Sequence, residues 1–389
     1  MVDAIRGFAL AGIVLVHNLE HFLLFAGAEK NPAWLSTIDP KMWEIIFVLF
    51  SGKAYGIFSL LFGFSFWIQY ESQRRRGYEF APRFAWRMVL LLGLGALNGL
   101  FYAGDILSIY ALASFVIILT RNWSDRWVIL LTAILLLQPA DLARTVYSYF
   151  HPDYKIVSDV WPLMNHLREP QLNGPFLKML LVNSTYGHLS NLAWNWEFGR
   201  FFQAPALFLM GMLAARRRAF VDIRPNFWFT VFGLSLIGAI FMHFLCSWLG
   251  DHVHREQLRD LVNNLSGLYS NVPRITLMLS ILVLLWHYSS RLRKVLMIFA
   301  PFGRMSLTNY ITQSMIGTTL YMGYGFGLYL YCGATLSFGV GAIILTIQLF
   351  WSHWWLKRFN QGPLEFLWKK GTWIGHERYR SIRLVKQTS

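Results

Sequence analysis

Charged residues are scarce in this 389-residue sequence, occupying only 14% of positions, whereas hydrophobic residues occupy 55%. Soluble domains carry about 25% charged residues, so this shortage argues against an ordinary soluble protein. Several apolar runs are about 20 residues long, which lets a helix cross a hydrocarbon core of about 30 Å. The many aromatic residues suit the belts found at the two membrane interfaces. The composition therefore predicts an all-α, multi-pass protein of the lipid bilayer.

Cysteine is almost absent, since Cys246 and Cys332 are the only two. One pair excludes a disulfide framework, and whether the two form a single bridge stays open. The sequence has no CxxC motif and no His/Cys cluster, so it gives no sign of a metal site. It also has no separate basic domain, so the net charge of +15 does not indicate a nucleic-acid partner.

About ten transmembrane helices are predicted from the apolar runs. Their boundaries are 5–27, 43–69, 86–103, 106–120, 126–140, 199–215, 226–249, 272–289, 305–324 and 334–353. The even-numbered spans are followed by basic segments, among them QRRRGYEFAPR, RNWSDR and RLRK. Short loops rich in Lys and Arg stay in the cytoplasm. Both termini are therefore predicted to be cytoplasmic.

We expect a single integral membrane domain over 1–389 with two accessory segments. Segment 141–198 lies between the fifth and sixth predicted spans, where Pro, Gly and Asn interrupt any long helix. It is too short for a large core of its own, so we predict a cap on the outer face. The tail 357–389 carries Trp368 and Trp373 beside two lysines, which is typical of a helix lying at the inner membrane interface.

The first predicted span contains polar side chains, which are costly in lipid and usually face a protein interior or a water-filled cavity. Arg6 and His17 are eleven residues apart, which puts them on one helix face about 16 Å from each other. His21 is one turn further along that face. These positions predict a polar path from the inner surface towards the outer half. The alternative is that Arg6 only snorkels to the surface and His17 is a hydrogen-bonded core residue.

Other polar residues inside the predicted spans have two interpretations each. Lys53 in the second span contacts an anionic or carbonyl group of a ligand, or forms a structural ion pair. Asp105 in the short GDIL turn caps the next helix, or orients a histidine or pairs with Lys53. Asn309 and Gln313 share a face of the ninth span and line a substrate path, or join helices by hydrogen bonds. Arg304 grips a phosphate, or marks the inner boundary.

Six stretches resemble the landmarks of the YeiB-type bacterial inner-membrane proteins, a family of unknown function. They are DAIRGFALAGIVLVHN, NPAW, GKAYGIFSLLFGFSF, GDILSIYALASF, FGRMSLTNYITQS and RFNQGPLEFLWKK. They follow the family's order and leave out segment 141–198. The resemblance implies a location in the bacterial cytoplasmic membrane.

The YeiB type is similar to the transmembrane acyltransferases, which include the sugar O-acetylating membrane enzymes and the lysosomal glucosaminide acetyltransferase. Those enzymes transfer an acyl group from cytoplasmic acyl-CoA to a sugar across the membrane. The sugar O-acetylating branch has an Arg-Gly pair and a histidine eleven residues after that arginine, and Arg6 and His17 match this spacing. YeiB-type proteins often have Asn at the position of His17, so this sequence departs towards the acyltransferase pattern.

The resemblance leads to the hypothesis of acyl transfer across the membrane, with acyl-CoA as co-substrate and no permanently bound cofactor. Arg6, together with Arg87 or Arg304, would hold the CoA phosphates. His17 would act as general base on a hydroxyl or amine acceptor, or carry the acyl group transiently. The acceptor, a glycan or a small metabolite, would enter beneath the 141–198 cap.

Supporting roles in this hypothesis fall to residues from other spans. Asp105 or His21 would orient His17, and Lys53 or Asn309 would stabilise the oxyanion. A transporter or permease for a small anionic or polar solute remains an alternative, because buried charged residues also suit transport. A non-catalytic membrane partner is the third, and homo-oligomerisation stays open.

Overall fold

The computed structural model describes residues 1–22, 27–154 and 157–374. Within these residues every regular element is a helix and no strand occurs, which confirms the all-α prediction. The α-helices, numbered in chain order, are α1 Val2–Leu19, α2 Ala33–Ser36, α3 Asp39–Phe50, α4 Lys53–Arg74, α5 Ala81–Gly99, α6 Leu107–Thr120, α7 Asp125–Leu136, α8 Pro139–Phe150, α9 Val160–Asn173, α10 Phe176–Val182, α11 His188–Glu197, α12 Arg200–Arg216, α13 Pro225–His252, α14 Glu256–Tyr288, α15 Ser290–Ile298, α16 Ala300–Arg304, α17 Ser306–Tyr321, α18 Ala334–Leu356 and α19 Pro363–Thr372.

Five helical stretches in the described part are long and apolar enough to cross a membrane. They are Val2–Leu19, Asp39–Arg74, Pro225–His252, Glu256–Tyr288 and Ala334–Leu356. Two bent pairs raise the number to seven, namely α7 with α8 and the stretch Phe176–Glu197 with α12. These helices indicate a protein that crosses a membrane several times. The remaining predicted spans coincide with α5, α6 and α17, which fall short of the same criterion, so ten spans and cytoplasmic termini remain predictions.

A break divides the predicted second span into α3 and α4. Ser51 is extended, and Gly52 has a φ of 72°, a left-handed conformation that favours glycine. Lys53 therefore lies in the first turn of α4, not in the interior of one continuous helix. Its Nζ donates to the carbonyl oxygen of Phe47 at 3.4 Å, so the partner of this lysine is the C-terminal end of α3.

Helix α1 lies in the core of the bundle, against α4, α16 and α18. Gly7 permits the contact with α16, because a Cβ atom at this position would collide with the carbonyl oxygen of Phe299. This close approach was expected for a small residue at a membrane helix interface. α1 ends at Leu19 rather than at residue 27, because His21 and Phe22 adopt positive φ angles of 56° and 53°. Residues 23–26 lie outside the described part.

A second close contact joins α4 to α12. A Cβ atom on Gly211 would collide with the carbonyl oxygen of Leu60, and one on Gly63 would collide with that of Phe208. The two glycines thus let the two backbones touch in both directions. This contact fixes α4 against α12 beside the cavities described below.

Replacement of Gly211 with alanine is expected to lower the free energy of unfolding by about 1–3 kcal/mol, because overpacking at a backbone contact forces the two helices apart. Gly93 on α5 is the matched control, since a Cβ atom there has no neighbour within 4 Å among the described residues. Gly93→Ala should be neutral or stabilising by about 0.5–1 kcal/mol through helix propensity. Denaturant titration in mild detergent measures both, and equal stability of the two variants would contradict the contact.

The bundle has two ends, which we name from α1. The proximal end is where α1 begins, and α16 and α19 lie there with Arg6. The distal end is where α1 ends, and residues of α9 and α11 lie there with His17. Segment 141–198 thus contributes helices at the distal end, with residues 155–156 outside the described part. In the tail, α19 packs against α5, where Trp86 Nε1 donates to the carbonyl oxygen of Gly371 at 3.1 Å. Residues 375–389 of the predicted tail are not described.

Candidate functional site

Two cavities approach each other inside the bundle, one from each end. The distal cavity has a volume of about 350 Å³ and the proximal cavity one of about 260 Å³. Both are lined by the same four residues, namely Ile13, Ile106, Tyr110 and Tyr310. We call these four residues, which border both cavities, the shared wall. The sequence predicted one continuous polar path along α1. The structure instead has two cavities on either side of the shared wall.

Hydrogen bonds hold the two tyrosines of the shared wall in place. The Tyr110 hydroxyl donates to the carbonyl oxygen of Tyr55 at 3.1 Å and lies 2.6 Å from Ser59 Oγ. The Tyr310 hydroxyl accepts from the backbone N–H of Ile106 at 3.1 Å. Both rings are nearly fully buried. Both tyrosines are therefore fixed parts of the shared wall.

Three arginines, Arg6, Arg87 and Arg304, line the proximal cavity, and their role in holding CoA phosphates stays a prediction. The Arg6 guanidinium donates to Asp3 at 2.9 Å and to Ser65 Oγ at 2.6 Å. Arg304 Nη2 donates to the carbonyl oxygen of Asn360 at 3.0 Å. The three side chains come from α1, α5 and α16 and give this cavity a positive character.

Helix α19 supplies the remaining wall of the proximal cavity. The Trp368 ring lies 3.8 Å from the guanidinium carbon of Arg87, and its Nε1 donates to the Arg87 carbonyl oxygen at 2.8 Å. Glu365 is the one acid that lines this cavity in the part of the chain that the structure describes. It accepts from the backbone N–H groups of Leu307 and Thr308 at 2.7 and 3.1 Å. Glu365 therefore caps α17, a role that the sequence did not single out although it lies in the RFNQGPLEFLWKK landmark.

His17 lines the distal cavity just beyond the shared wall. Its ring centroid lies 4.9 Å from that of Tyr102, 5.6 Å from that of Phe22 and 6.1 Å from that of Tyr310. Within the described residues its buried Nδ1 has no hydrogen-bond partner. An aromatic box thus holds the imidazole without occupying its nitrogen, which leaves the ring available for a ligand.

Two charged residues that the sequence analysis did not select also line the distal cavity. Glu20 directly follows the end of α1, three residues after His17, and Arg200 begins α12. The two side chains form no ion pair with each other in the described structure. The Arg200 guanidinium instead lies 4.0 Å from the Tyr55 ring and donates to Gln203 at 2.9 Å. The i+3 spacing from His17 could have indicated that Glu20 lies near the same site, whereas nothing in the sequence indicated this for Arg200.

Segment 141–198 contributes amides and aromatic rings to the distal cavity. Asn191 Nδ2 donates to the carbonyl oxygens of Ala103 and Asp105 at 2.6 and 2.8 Å, which ties α11 to the turn between α5 and α6. Trp194 and Asn195 line the cavity on the following turn of α11. Amides and aromatic rings are groups that proteins use to hold polar, hydroxyl-bearing ligands.

Three predicted site residues lie outside both cavities. Asp105 accepts from Asn98 Nδ2 at 2.9 Å and from the backbone N–H and hydroxyl of Ser108 at 3.0 and 3.1 Å, so it caps α6. His21 lies 2.9 Å from Ser337 Oγ and stacks on Tyr321. Lys53 contacts α3 as described above. The geometry brings none of the three to His17.

Asn309 and Gln313 also lie outside the two cavities. Asn309 Nδ2 donates to Ser352 Oγ at 2.9 Å and to the carbonyl oxygen of Phe302 at 3.2 Å, which joins α17 to α18 and α16. Gln313 is fully buried, and its amide has no partner within the described residues. The structural interpretation therefore fits Asn309.

No group of three or more His, Cys, Asp or Glu side chains in the described part comes together to hold a metal ion. Cys246 and Cys332 are both free thiols, which answers the question of a bridge that the sequence left open.

Comparison with known proteins links the chain to a family without an established activity. Residues 214–375 match the family model described as a protein of unknown function, DUF418. A comparison with solved structures gives no match.

Two bacterial proteins are similar to this chain over nearly its whole length. The uncharacterized protein YxaH of Bacillus subtilis is 26% identical over 96% of this chain and 94% of its own. The uncharacterized protein YeiB of Escherichia coli is 27% identical over 95% of each chain. Alignments that cover this much of the chain include segment 141–198, in which none of the six landmark stretches lies. The resemblance to the YeiB-type family of unknown function is thereby confirmed.

Proposed function

We propose that this protein is a membrane acyltransferase that takes an acyl group from acyl-CoA in the proximal cavity and delivers it to an acceptor in the distal cavity. One observation carries the proposal. Arg6 and His17 lie on the same helix and line two cavities that share a single wall. The basic segments that follow the even-numbered predicted spans make the proximal end cytoplasmic, where acyl-CoA is available. The protein would then belong to the bacterial cytoplasmic membrane.

The proximal cavity supports the donor half of the proposal. Arg6, Arg87 and Arg304 outnumber Glu365 there, so the cavity favours a ligand with several negative charges. Guanidinium groups bind phosphates through paired, charge-assisted hydrogen bonds. The apolar lining of the same cavity, which includes Phe58 and Leu91, suits the pantetheine chain that follows the phosphates.

His17 performs the chemistry in this proposal. The neutral imidazole removes a proton from an acceptor hydroxyl or amine, whose oxygen or nitrogen then bonds to the thioester carbonyl carbon. The carbon–sulfur bond breaks, and the CoA thiolate leaves and takes up the proton that His17 accepted. Arg200 lines the same cavity and supplies the positive charge for the oxyanion, in place of Lys53 and Asn309. The thioester reaches His17 only if the hydrogen bonds of Tyr110 or Tyr310 break and that ring turns out of the shared wall.

The distal cavity supports a polar acceptor such as a glycan or a small hydroxylated metabolite. The Trp194 ring would stack on a sugar face, and Asn195 Oδ1 would accept from a sugar hydroxyl, because Asn195 Nδ2 already donates to Asn191. The Glu20 carboxylate can accept hydrogen bonds and the Arg200 guanidinium can donate them, and the two groups are not paired to each other. A substrate with hydroxyls on several faces can bond to both.

A transporter for a small anionic or polar solute is the second candidate. The shared wall favours it, because two cavities on either side of a common wall are also what alternating access requires.

Proteoliposomes distinguish the two candidates. Radiolabelled acetyl-CoA is supplied on the proximal side, and a panel of monosaccharides and amino sugars on the distal side. Acyl transfer gives labelled sugar and free CoA in equal amounts. Sugar uptake that needs no donor, with no release of CoA, would establish transport and overturn the acyltransferase proposal.

A further inference from the structure

A third cavity, of about 400 Å³, lies between α4, α12, α13 and α14. It shares no lining residue with the proximal or the distal cavity. We call it the lateral cavity, because Phe227 on one of its walls is 45% exposed on the outside of the bundle. Its role is therefore separate from the transfer path proposed above.

The lateral cavity is charged at its mouth and apolar inside. Arg217, Asp222 and Arg224 line the mouth, on the connection between α12 and α13 at the proximal end. Leu60, Leu213, Val231 and Leu279 line the interior. Leu279 precedes the end of α14 at Tyr288 by nine residues, so the interior reaches about 14 Å along that helix. A ligand that fits has a charged head and a long apolar tail.

The charge at the mouth is positive. Arg216 donates to Asp125 at 2.9 Å, and Arg217 lies more loosely at 3.7 Å from the same acid. Asp222 is paired to Arg218 at 2.9 Å. Arg224 makes no ion pair within the described residues and stands directly before Pro225, the first residue of α13, where the helix N-terminus adds further positive potential. Arg217 and Arg224 are thus the guanidinium groups available to an anion.

We propose that the lateral cavity binds an anionic phospholipid of the proximal leaflet. The phosphodiester contacts Arg217 and Arg224, and one acyl chain fills the space between α12 and α13. Basic pockets between membrane helices on the cytoplasmic side are known to take such headgroups. Free phosphate shares the headgroup chemistry but leaves the apolar interior empty, so the shape of the cavity favours the lipid.

Lipid retention measures this site directly. The full chain is purified in mild detergent, phosphatidylglycerol is added, and the bound fraction is read by native mass spectrometry. Each basic residue near an anionic surface contributes about a fivefold gain in affinity, so Arg217→Gln with Arg224→Gln should weaken phosphatidylglycerol binding by about 30-fold. Ala214→Phe fills the interior, since Ala214 lines it, and should reduce binding without changing any charge.

The matched control is Arg75→Gln with Arg76→Gln, which removes two exposed arginines at the proximal end of α4 that line none of these cavities. It should bind phosphatidylglycerol like the wild type. Equal binding of phosphatidylcholine, equal losses in control and test variants, or displacement of the lipid by inorganic phosphate would each overturn the proposal. The outcome does not depend on whether the protein transfers acyl groups.

Discussion

Loss of the His17 imidazole is expected to lower acyl transfer by about 10²- to 10⁴-fold, the range that a general base contributes. His17→Ala removes the one histidine among the described residues that line the distal cavity. Its ring touches the shared wall through Tyr310 but makes no contact with the three arginines of the proximal cavity. The loss should therefore fall on kcat, whereas KM for acyl-CoA should stay within about twofold of the wild type.

His243→Ala is the matched control for this experiment. His243 lies exposed on α13, away from both cavities, so its loss should leave kcat unchanged. Release of CoA and formation of acylated sugar are followed together in proteoliposomes for both variants. Full transfer by His17→Ala would remove the catalytic role of this residue, whatever the donor and acceptor are.

Replacement of Arg304 with glutamine is expected to raise KM for acyl-CoA by about 10- to 100-fold, because a hydrogen bond to a charged group contributes about 1.5–3 kcal/mol. Arg304 is the most exposed of the three arginines in the proximal cavity, and its one hydrogen-bond partner among the described residues is the carbonyl oxygen of Asn360. It is therefore the guanidinium most easily diverted to a phosphate. Because a phosphate contact is the same before and during the reaction, kcat should change little.

The donor itself provides the control for Arg304. An acyl-pantetheine donor lacks the nucleotide and its phosphates, so wild type and Arg304→Gln should use it with equal KM. Arg75→Gln, an exposed change directly after α4 and outside both cavities, should leave KM for acyl-CoA unaltered. A KM increase of the same size with both donors would mean that Arg304 supports the fold of the cavity and does not bind phosphate.

Much of the proximal cavity could be predicted from the sequence because its elements obey local rules. Helical periodicity placed Arg6 and His17 on one face, and both line cavities. Arg304 was predicted at the entrance of the ninth span, to bind phosphate or to mark the inner boundary, and it lines the proximal cavity. In each case the cost of a polar group in lipid was enough to indicate that the residue faces protein or water.

The distal cavity could be predicted less well because it depends on contacts between distant segments. Arg200 lines the same cavity as Glu20 and His17 although α12 packs mainly against α4, α6 and α7, and no periodicity in the sequence links the three residues. The glycine at position 52 breaks the second span, which moved Lys53 to a helix start. Asp105 satisfied its carboxylate within its own turn, so local capping prevailed over a distant histidine.

Accessibility from the two sides of the membrane tests the central claim, that the cavities open to opposite compartments. Ser306 lines the proximal cavity and Ser51 the distal one, and each is replaced singly by cysteine, which is nearly isosteric, in a background where Cys246 and Cys332 are serine. A membrane-impermeant thiol reagent is then applied to intact spheroplasts and to inverted vesicles. We expect Ser51→Cys, in the distal cavity, to react only in spheroplasts. We expect Ser306→Cys, in the proximal cavity, to react only in inverted vesicles. Reaction of both cysteines from the same side would contradict it.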